Sequence, residues 1–550
     1  MGNLLSPVET KAIPIDTIFN LPSPQPSWPQ SVIDGGGFGS GRINLGGLVV
    51  QQVSTFNKIW ATQEGGPDNR GASFFEPSPI PDGYFSLGSY CQPNNQPLFG
   101  WVLVAKDDCC TGPPSLALPV DYKLIWSSEN SKLKQDGIGY IWSPVPPEGY
   151  KAVGNIVTNS HDKPDLEKIR CVRADLTDSC EHDNFVWGRD GISIYSLRPT
   201  SRGPQALGVS VGAFTTETNT PSSTLSLSCL KNKDFNLSAC MPNRDQIQAL
   251  LQTYSPLIYF HPDEPYLPSS VSWYFSSGVL LHERGKESNP VPVDSNGTNL
   301  PQGGSSDGLY WLDLPSDKGS KERVKKGDLN SSETYLHLKP MFGGTYTDIA
   351  IWVFYPFNGP ARAKIKFINV NLGRIGEHVG DWEHLTLRIS NFSGQLHSVY
   401  FSEHSKGIWV NSPELEFQNG NKPVAYSSLH GHAFYPKPGL VLQGSGGIGI
   451  RNDTAKSKTM MDTGERYEIV SAEYLGTIRE PAWLNYAREW GPKIEYNIAH
   501  ELCKELRRFL PGKLKAAFDR IIKGLPNEVL GQEGPTGPKM KSSWNGDERI

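Results

Sequence analysis

Residues 376–389 read Gly-Glu-His-Val-Gly-Asp-Trp-Glu-His-Leu-Thr-Leu-Arg-Ile, a strand-like run with Asp381 and Glu383 near its start. Successive side chains of a β-strand point to opposite faces of the sheet. One face would therefore carry Asp381, Glu383, Leu385, Leu387 and Ile389, and the other Trp382, His384, Thr386 and Arg388. An unpaired buried charge is very costly, so the two carboxylates at the end of this apolar face need a partner.

A bound cation is one partner that fits these carboxylates. His378 lies just before them, and one histidine with two acids is a plausible ligand set for a divalent ion. A salt bridge or a hydrogen-bonded turn would satisfy the same carboxylates. The spacing alone leaves these alternatives open.

Composition favours a large, mainly β protein. The chain has 550 residues with 56 glycines and 44 prolines, which indicates two to four domains of short strands joined by turns. No basic patch points to nucleic acid, and no apolar run reaches the 18 residues of a membrane-spanning helix. The eight cysteines form no Cys-x-x-Cys pair and the start lacks a signal-peptide pattern, so we expect a cytoplasmic chain with reduced thiols.

The N-terminus carries one targeting pattern. Gly2 and Ser6 fit the myristoylation motif, although Pro7 follows at once. A single acyl chain binds membranes only marginally. We expect residues 1–41, rich in proline and glycine, to form a flexible segment.

Residues 42–225 contain a threefold internal repeat. The first unit has Lys58-Ile59-Trp60 followed by Pro81-Asp82-Gly83-Tyr84, and the second has Leu124-Ile125-Trp126 followed by Pro147-Glu148-Gly149-Tyr150. A shorter third unit has Phe185-Val186-Trp187 and then Arg202-Gly203-Pro204. Repeats of this length indicate one small sheet per unit around a shared core, which predicts a β-prism-like domain.

Residues 245–530 are predicted to form a second, β-sandwich-like domain with helices at its end, and residues 531–550 a disordered tail. Within this domain, His430-Gly431-His432 follows a strand-like stretch. The two imidazoles are candidates for a soft-metal or proton-transfer site, or for structural histidines.

Four strings of the sequence are distinctive, namely Trp-Ala-Thr-Gln-Glu-Gly-Gly-Pro-Asp-Asn at 60–69, Phe-Phe-Glu-Pro-Ser-Pro at 74–79, Tyr-Phe-His-Pro-Asp-Glu at 259–264 and the Gly-Asp-Trp-Glu motif. With these strings the chain resembles the plant members of the vacuolar protein sorting-associated protein 62 family. The resemblance covers residues 21–534 and implies a link to vacuolar protein delivery. The repeats also look like the β-prism of proteins of multivesicular bodies, which implies binding to membranes or trafficking proteins.

The Asp-Trp-Glu motif is also similar to that of the necrosis- and ethylene-inducing peptide-like proteins. Those are β-sandwich toxins that bind a divalent cation and sphingolipid head groups. The resemblance implies a calcium or magnesium site with His378, Asp381 and Glu383 as ligands and Asn358 close by, and residues 398–404, ending in His404, echo the same family. Val379-Gly380 departs from that family's Arg-His, so the resemblance does not extend to toxin activity.

These observations favour a non-enzymatic protein, peripheral to endosomal or vacuolar membranes, that binds a lipid head group or a glycan and serves vacuolar sorting. A divalent-metal-dependent hydrolase using His378, Asp381, Glu383 and His430 is the first alternative. A protein-interaction scaffold without a small ligand is the second. Measuring liposome binding with and without calcium or magnesium would distinguish the membrane-binding hypothesis from the hydrolase and scaffold alternatives.

Overall fold

The computed structural model describes residues 15, 17–29, 37–108, 112–218, 225–234, 237–403, 406–494 and 534–548. The candidate lipidation site Gly2, the predicted helices after residue 494 and the candidate His404 lie outside these residues. The described chain is mainly β, as the sequence predicts. None of its described helices has the length and apolar character needed to span a membrane.

The first twenty strands lie between residues 42 and 231. They are β1 (Arg42–Asn44), β2 (Leu48–Val53), β3 (Phe56–Thr62), β4 (Ala72–Pro77), β5 (Phe85–Ser86), β6 (Tyr90–Pro93), β7 (Val102–Asp107), β8 (Leu116–Ala117), β9 (Asp121–Ser127), β10 (Gln135–Asp136), β11 (Tyr140–Val145), β12 (Tyr150–Lys151), β13 (Ile156–Thr158), β14 (Cys171–Arg173), β15 (Thr177–Asp178), β16 (Cys180–Arg189), β17 (Ile192–Pro199), β18 (Gly208–Val209), β19 (Phe214–Thr218) and β20 (Cys229–Lys231).

The strand pairing repeats three times. In the first unit β7 pairs with both β2 and β5, while β3, β4 and β6 form a separate antiparallel sheet. The second unit pairs β8–β14–β12 and β9–β11–β13, and the third pairs β15–β20–β18 and β16–β17–β19. The sequence repeat is therefore also a repeat of topology. We call residues 42–231 the repeat domain.

The three repeated tryptophans meet at the centre of the repeat domain. Ring centroids of Trp60 and Trp126 are 5.9 Å apart, those of Trp60 and Trp187 are 5.9 Å apart, and those of Trp126 and Trp187 are 5.7 Å apart. Each lies on the first strand, in chain order, that its unit contributes to the sheet. The repeated glycines Gly83, Gly149 and Gly203 precede β5, β12 and β18 with φ of 77°, 82° and 115°, which is strained for any residue with a Cβ.

The structure differs from two predictions about the N-terminal half. The repeat domain continues past residue 225, because β20 completes the third unit by pairing with β15 and β18. The segment before residue 42 is not simply a flexible leader. Trp28 is buried beside Phe38 and Tyr254, and its indole Nε1 donates to the carbonyl of Ser393 at 2.8 Å.

The second domain comprises residues 237–494 together with residues 534–548. Its helices are α1 (Leu237–Cys240), α2 (Arg244–Tyr254), α3 (Val271–Ser276) and α4 (Lys318–Lys325). Its strands are β21 (Leu257–Tyr259), β22 (Leu280–Glu283), β23 (Val291–Pro292), β24 (Tyr310–Asp313), β25 (Thr334–Met341), β26 (Tyr346–Asn358), β27 (Arg362–Ile365), β28 (Ile368–Asn371), β29 (His378–Ser390), β30 (Leu396–Glu403), β31 (Lys406–Asn411), β32 (Phe417–Gln418), β33 (Lys422–Ser427), β34 (Phe434–Tyr435), β35 (Gly439–Ser445), β36 (Ile448–Thr454), β37 (Met460–Asp462) and β38 (Tyr467–Ser471).

A six-stranded sheet in the order β31–β30–β29–β26–β25–β38 is the centre of the second domain. One face shares an apolar core with helix α2 and with the smaller sheet that contains β21 and β33. The other face packs aromatic side chains, among them Trp352, Trp382 and Trp490. A separate four-stranded sheet, β28–β27–β36–β35, lies beside one end of β29.

The predicted disorder of residues 531–550 is wrong for residues 534–548, which we call the C-terminal segment. Trp544 is buried, with its ring centroid 3.8 Å from that of His337. Glu548 is 3% exposed and accepts from Thr386 Oγ1 at 2.7 Å. The segment is polar and rich in glycine, and this composition led to the prediction of disorder. Trp544 nevertheless anchors it, and Asp547 and Glu548 pair with Arg388 and Lys339 of the sheet.

Candidate functional site

The central strands bring the predicted site residues to one end of the sheet. In the register of β26 and β29, Asn358 faces His378 and Tyr355 faces Asp381. The predicted alternation along β29 is confirmed. Leu385, Leu387 and Ile389 belong to the core shared with α2, whereas Trp382 belongs to the aromatic core of the opposite face.

Asp381 forms an ion pair with a histidine from a distant loop. Its Oδ2 lies 3.0 Å from Nδ1 of His432, whose Nε2 lies 3.8 Å from Glu264 Oε1. The His432 side chain is fully buried and stacks on the Tyr355 ring, with centroids 3.9 Å apart and planes 5° apart. We call Glu264, Asp381 and His432 the ion cluster.

Local backbone geometry positions the ion cluster. His430 and His432 have positive φ values of 71° and 58°, which are uncommon for residues other than glycine. Two backbone hydrogen bonds fix the Glu264 carboxylate, which accepts from the N–H groups of Tyr266 and His430. The turn with positive φ and the Glu264 carboxylate together position the His432 imidazole against Asp381.

Within the ion cluster, the carboxylates stabilise the protonated form of His432, and His432 stabilises the ionised form of Asp381. Burial alone would lower the pKa of His432, but the hydrogen bond with Asp381 and the charge of Glu264 outweigh it and raise that pKa to about 9. Burial works against ionisation of Asp381 as well, yet His432, His378 and Lys541 keep its pKa below the ordinary value. At neutral pH the structure therefore buries a carboxylate and an imidazolium side by side.

A cavity of about 310 Å³ opens next to the ion cluster. All four predicted ligands border it, namely Asn358, His378, Asp381 and Glu383. Its other walls come from strand β30, from the four-stranded sheet and from the C-terminal segment, including Ser402, Asn452 and Lys541. The four residues that the sequence singles out therefore border one cavity, and their role as ligands stays a prediction.

The predicted ligands do not form a metal centre in this structure. His378 Nδ1 lies 2.9 Å from the Gly380 carbonyl, and Asn358 Nδ2 donates to the Gly376 carbonyl at 2.7 Å. Asp381 pairs with His432, and Glu383 accepts from Ser402 Oγ at 2.6 Å. No three His, Cys, Asp or Glu side chains of the described ranges are grouped as metal ligands. Binding of calcium or magnesium stays a prediction.

The two other histidine candidates have separate partners. His430 Nδ1 lies 3.0 Å from the Pro360 carbonyl, whereas His432 faces the carboxylates of the ion cluster. Sequence reasoning did not include Glu264 among the candidate site residues. Its position between Pro262 and Pro265, directly after the buried strand β21, was the signal that could have identified it.

Three residues that border the cavity carry buried hydrogen-bond donors, which are Asn452 Nδ2, Trp352 Nε1 and Trp382 Nε1. The Asn452 side chain interacts with Tyr435, whereas the two indole N–H groups have no partner among the described residues. Buried donors normally have a partner, and leaving one without costs about 1–3 kcal/mol. Carboxylates of Glu383 and Glu403 border the same cavity as potential acceptors.

The fold and the site define a two-domain, mainly β protein with a polar, ligand-sized cavity above a buried ion cluster. The model of the family of vacuolar protein sorting-associated protein 62 matches residues 15–548, so the chain belongs to that family. No curated protein sequence matches the chain.

Among solved structures, the chain is similar to GNIP1Aa from Chromobacterium piscinae, with 21% identity over 38% of this chain and 40% of that chain and a TM-score of 0.28. Necrosis and Ethylene inducing Protein 2 from the causal agent of cocoa's Witches Broom disease shares 14% identity over 34% of this chain and 67% of that chain, with a TM-score of 0.21. NLPPya in complex with glucosamine shares 16% identity over 35% of this chain and 66% of that chain, with a TM-score of 0.19. TM-scores this low support no inference about the site.

Proposed function

We propose that this chain is a non-enzymatic binding protein whose cavity takes a sugar group, carried either by a glycan or by the head group of a glycosylated lipid. The observation that carries the proposal is the pair of buried indole donors without partners, Trp352 Nε1 and Trp382 Nε1, on residues that line one cavity. A ligand that supplies acceptors to these donors would remove their cost.

The cavity also selects for a ligand that both accepts and donates hydrogen bonds. Glu383 and Glu403 offer acceptors on the same walls as the three donors. A hydroxyl group does both. The volume of about 310 Å³ is at the lower end for small-molecule sites, which suits one sugar unit.

Charge at the cavity argues against a strongly ionic ligand. Four carboxylates border it, and so do four Lys or Arg side chains, which are Arg362, Lys406, Arg451 and Lys541. Arg451 already pairs with Asp453 at 2.7 Å. The balance favours a neutral, hydroxylated group over a phosphate or a polycation.

The ion cluster supports binding rather than catalysis. A general acid or base works best when its pKa is near the working pH. His432 has a pKa raised to about 9 and Asp381 one below its ordinary value, so neither exchanges a proton readily at neutral pH. We assign the ion cluster to supporting the cavity floor.

Family membership supports a place in vacuolar protein delivery, at the level of the family alone. A sugar-binding site would suit recognition of glycosylated cargo or of glycosylated lipid. Trafficking proteins are further candidate partners.

Calorimetric titration of the purified chain with neutral hexoses and amino sugars tests the proposal. Vesicles with and without a glycosylated lipid, offered in parallel, separate the two sources of the sugar. We expect each of two variants to weaken binding by about tenfold, because Asn452→Ala removes a hydrogen-bonding group and Glu383→Gln replaces a carboxylate acceptor by a donor. The matched control is Glu414→Gln, at an exposed position outside the cavity, which should leave binding unchanged.

Repeating the titration with calcium, with magnesium and with a chelator tests the predicted cation. A dependence on either ion would support a metal site at Asp381 and Glu383. Absence of sugar binding under all of these conditions, or equal losses in the site variants and the control, would overturn the proposed function.

A further inference from the structure

The β27–β28 hairpin ends in an exposed apolar tip. Ile365 pairs with Ile368, which leaves Lys366 and Phe367 as a two-residue turn. Phe367 is 98% exposed and Ile368 is 43% exposed. We call residues 364–368 the hairpin tip.

The composition of this turn is unusual for a two-residue hairpin. Such turns favour glycine, asparagine or aspartate, because at least one residue takes positive φ. Here Lys366 has φ of 56° and the next position is a phenylalanine that contributes no burial to the core. The turn is supported from the side, since the Lys366 N–H donates to the Gly447 carbonyl at 2.7 Å. Folding of the domain therefore does not explain the phenyl ring at this position.

The hairpin is basic in a chain that is acidic overall. Residues 361–376 contain Arg362, Lys364, Lys366 and Arg374 and no acidic residue, although the formal net charge of the chain is −5. Arg362 pairs with Asp453 and Arg374 with Glu377. Within the described ranges, no ion pair involves Lys364 or Lys366. The two lysines therefore bring net positive charge to the base of the apolar tip.

We propose that the hairpin tip inserts into the surface of a bilayer that contains anionic lipids. Phe367 and Ile368 would enter the boundary between head groups and acyl chains, and Lys364 and Lys366 would contact lipid phosphates and anionic head groups. Apolar residues flanked by lysines are the combination that binds anionic membrane interfaces. The tip is convex and narrow, and its charge is complementary to such a surface.

Insertion would also orient the candidate site. Strands β27, β35 and β36 of the same sheet contribute Arg362, Gln443 and Asn452 to the cavity wall. A bilayer at the hairpin tip therefore lies next to the cavity. The membrane contact itself does not rest on the proposed sugar binding, because it uses residues outside the cavity.

Sedimentation of the full chain with phosphatidylcholine vesicles, with and without phosphatidylserine, tests the inference. We expect binding that requires phosphatidylserine and falls as salt rises. Phe367→Ser should weaken it by about tenfold or more, since a phenyl ring leaves the membrane interface. Lys364→Glu with Lys366→Glu should abolish the preference for phosphatidylserine. The matched control is Phe185→Ser, which removes a phenylalanine 43% exposed on the repeat domain and should change nothing.

Thermal unfolding of each variant identifies any loss that comes from misfolding, and a circular dichroism spectrum like that of the wild type is required before a loss is attributed to the tip. Absence of sedimentation with either vesicle would overturn the inference, and so would equal losses in Phe367→Ser and Phe185→Ser. Binding of soluble sugars by Phe367→Ser should match the wild type. Loss of sugar binding without loss of vesicle binding would therefore count against the proposed function alone.

Discussion

The two domains bury different kinds of side chain. In the repeat domain, the buried polar residues of the described ranges are all uncharged, and its three tryptophans pack against one another. In the second domain, lysine, arginine, aspartate and glutamate side chains are buried, and they are matched in ion pairs. Titratable groups with shifted pKa values concentrate at functional sites, so the contrast directs attention to the second domain.

The two domains also differ in how far along the chain their contacts reach. Most strand pairs of the repeat domain lie within one unit, although β10 of the second unit pairs with β3 of the first. The second domain joins residues that are far apart, such as Thr386 and Glu548, 162 positions away. Local contacts suit a stable framework, whereas the cavity needs side chains from several distant segments.

Removing a central tryptophan should produce the largest effect. Trp187 is fully buried and its Nε1 donates to the Glu64 carbonyl at 2.8 Å, so Trp187→Ala should cost about 5 kcal/mol of unfolding free energy. Urea denaturation measures the loss, and hydrogen exchange should place it in residues 42–231. Leu124→Ala, at an exposed position, serves as the control and should cost less than about 1 kcal/mol. Equal loosening of both domains would show that they are not separate cores.

Breaking a buried ion pair should be nearly as severe. Glu548→Ala leaves His384 and Lys339 without their carboxylate, and we expect a loss of about 4 kcal/mol. The matched change in the repeat domain is Glu76→Ala, which breaks a partly exposed pair with Lys168 and should cost about 1 kcal/mol at most. Urea midpoints of the two variants provide the comparison. Similar losses would remove the distinction between the domains.

Stability should depend on pH through His432. Its pKa is raised from 6.5 to about 9 in the folded chain, so its contribution is fully present below pH 6.5 and is lost as pH rises through 9. The shift corresponds to about 3 kcal/mol. Urea denaturation from about pH 6 to about pH 10 should show this decline, and His432→Gln should flatten it. His161→Gln, exposed on the repeat domain, should keep the wild-type dependence.

The repeated glycines allow the smallest and finest test. A Cβ at Gly149 would meet no atom within 4 Å, so Gly149→Ala should cost only the strain of positive φ, about 1 kcal/mol. At Gly203 the new Cβ would lie 3.0 Å from the Asn545 carbonyl, so Gly203→Ala should cost more. Thermal denaturation of both variants measures the difference. Equal losses of stability in the two variants would mean that the C-terminal segment shifts away from the new Cβ at residue 203 without a cost in free energy.

Regular patterns made part of this structure predictable. The alternation along β29 gave the correct faces, and the spacing of Trp60, Trp126 and Trp187 gave the repeat, because local periodicity records which side chains face a core. Asn358, His378, Asp381 and Glu383, which the sequence groups as candidate ligands, border one cavity in the structure, and metal binding by them stays a prediction.

The partners of those residues were not predictable in the same way. His432 reaches Asp381 from a turn with positive φ, 51 positions further along the chain. No local period encodes such a contact. The C-terminal segment was missed for a related reason, since one tryptophan among polar residues gives no pattern until the sheet that buries it is known.

The position of the C-terminal segment has a consequence for synthesis on the ribosome. The repeat domain has all of its strands once residue 231 has emerged, and it can fold while translation continues. The central sheet of the second domain must wait for Trp544 and Glu548, and until then Lys339 and His384 lack their carboxylate partner. A chaperone that binds nascent chains would therefore encounter a folded repeat domain attached to a second domain that has not yet folded.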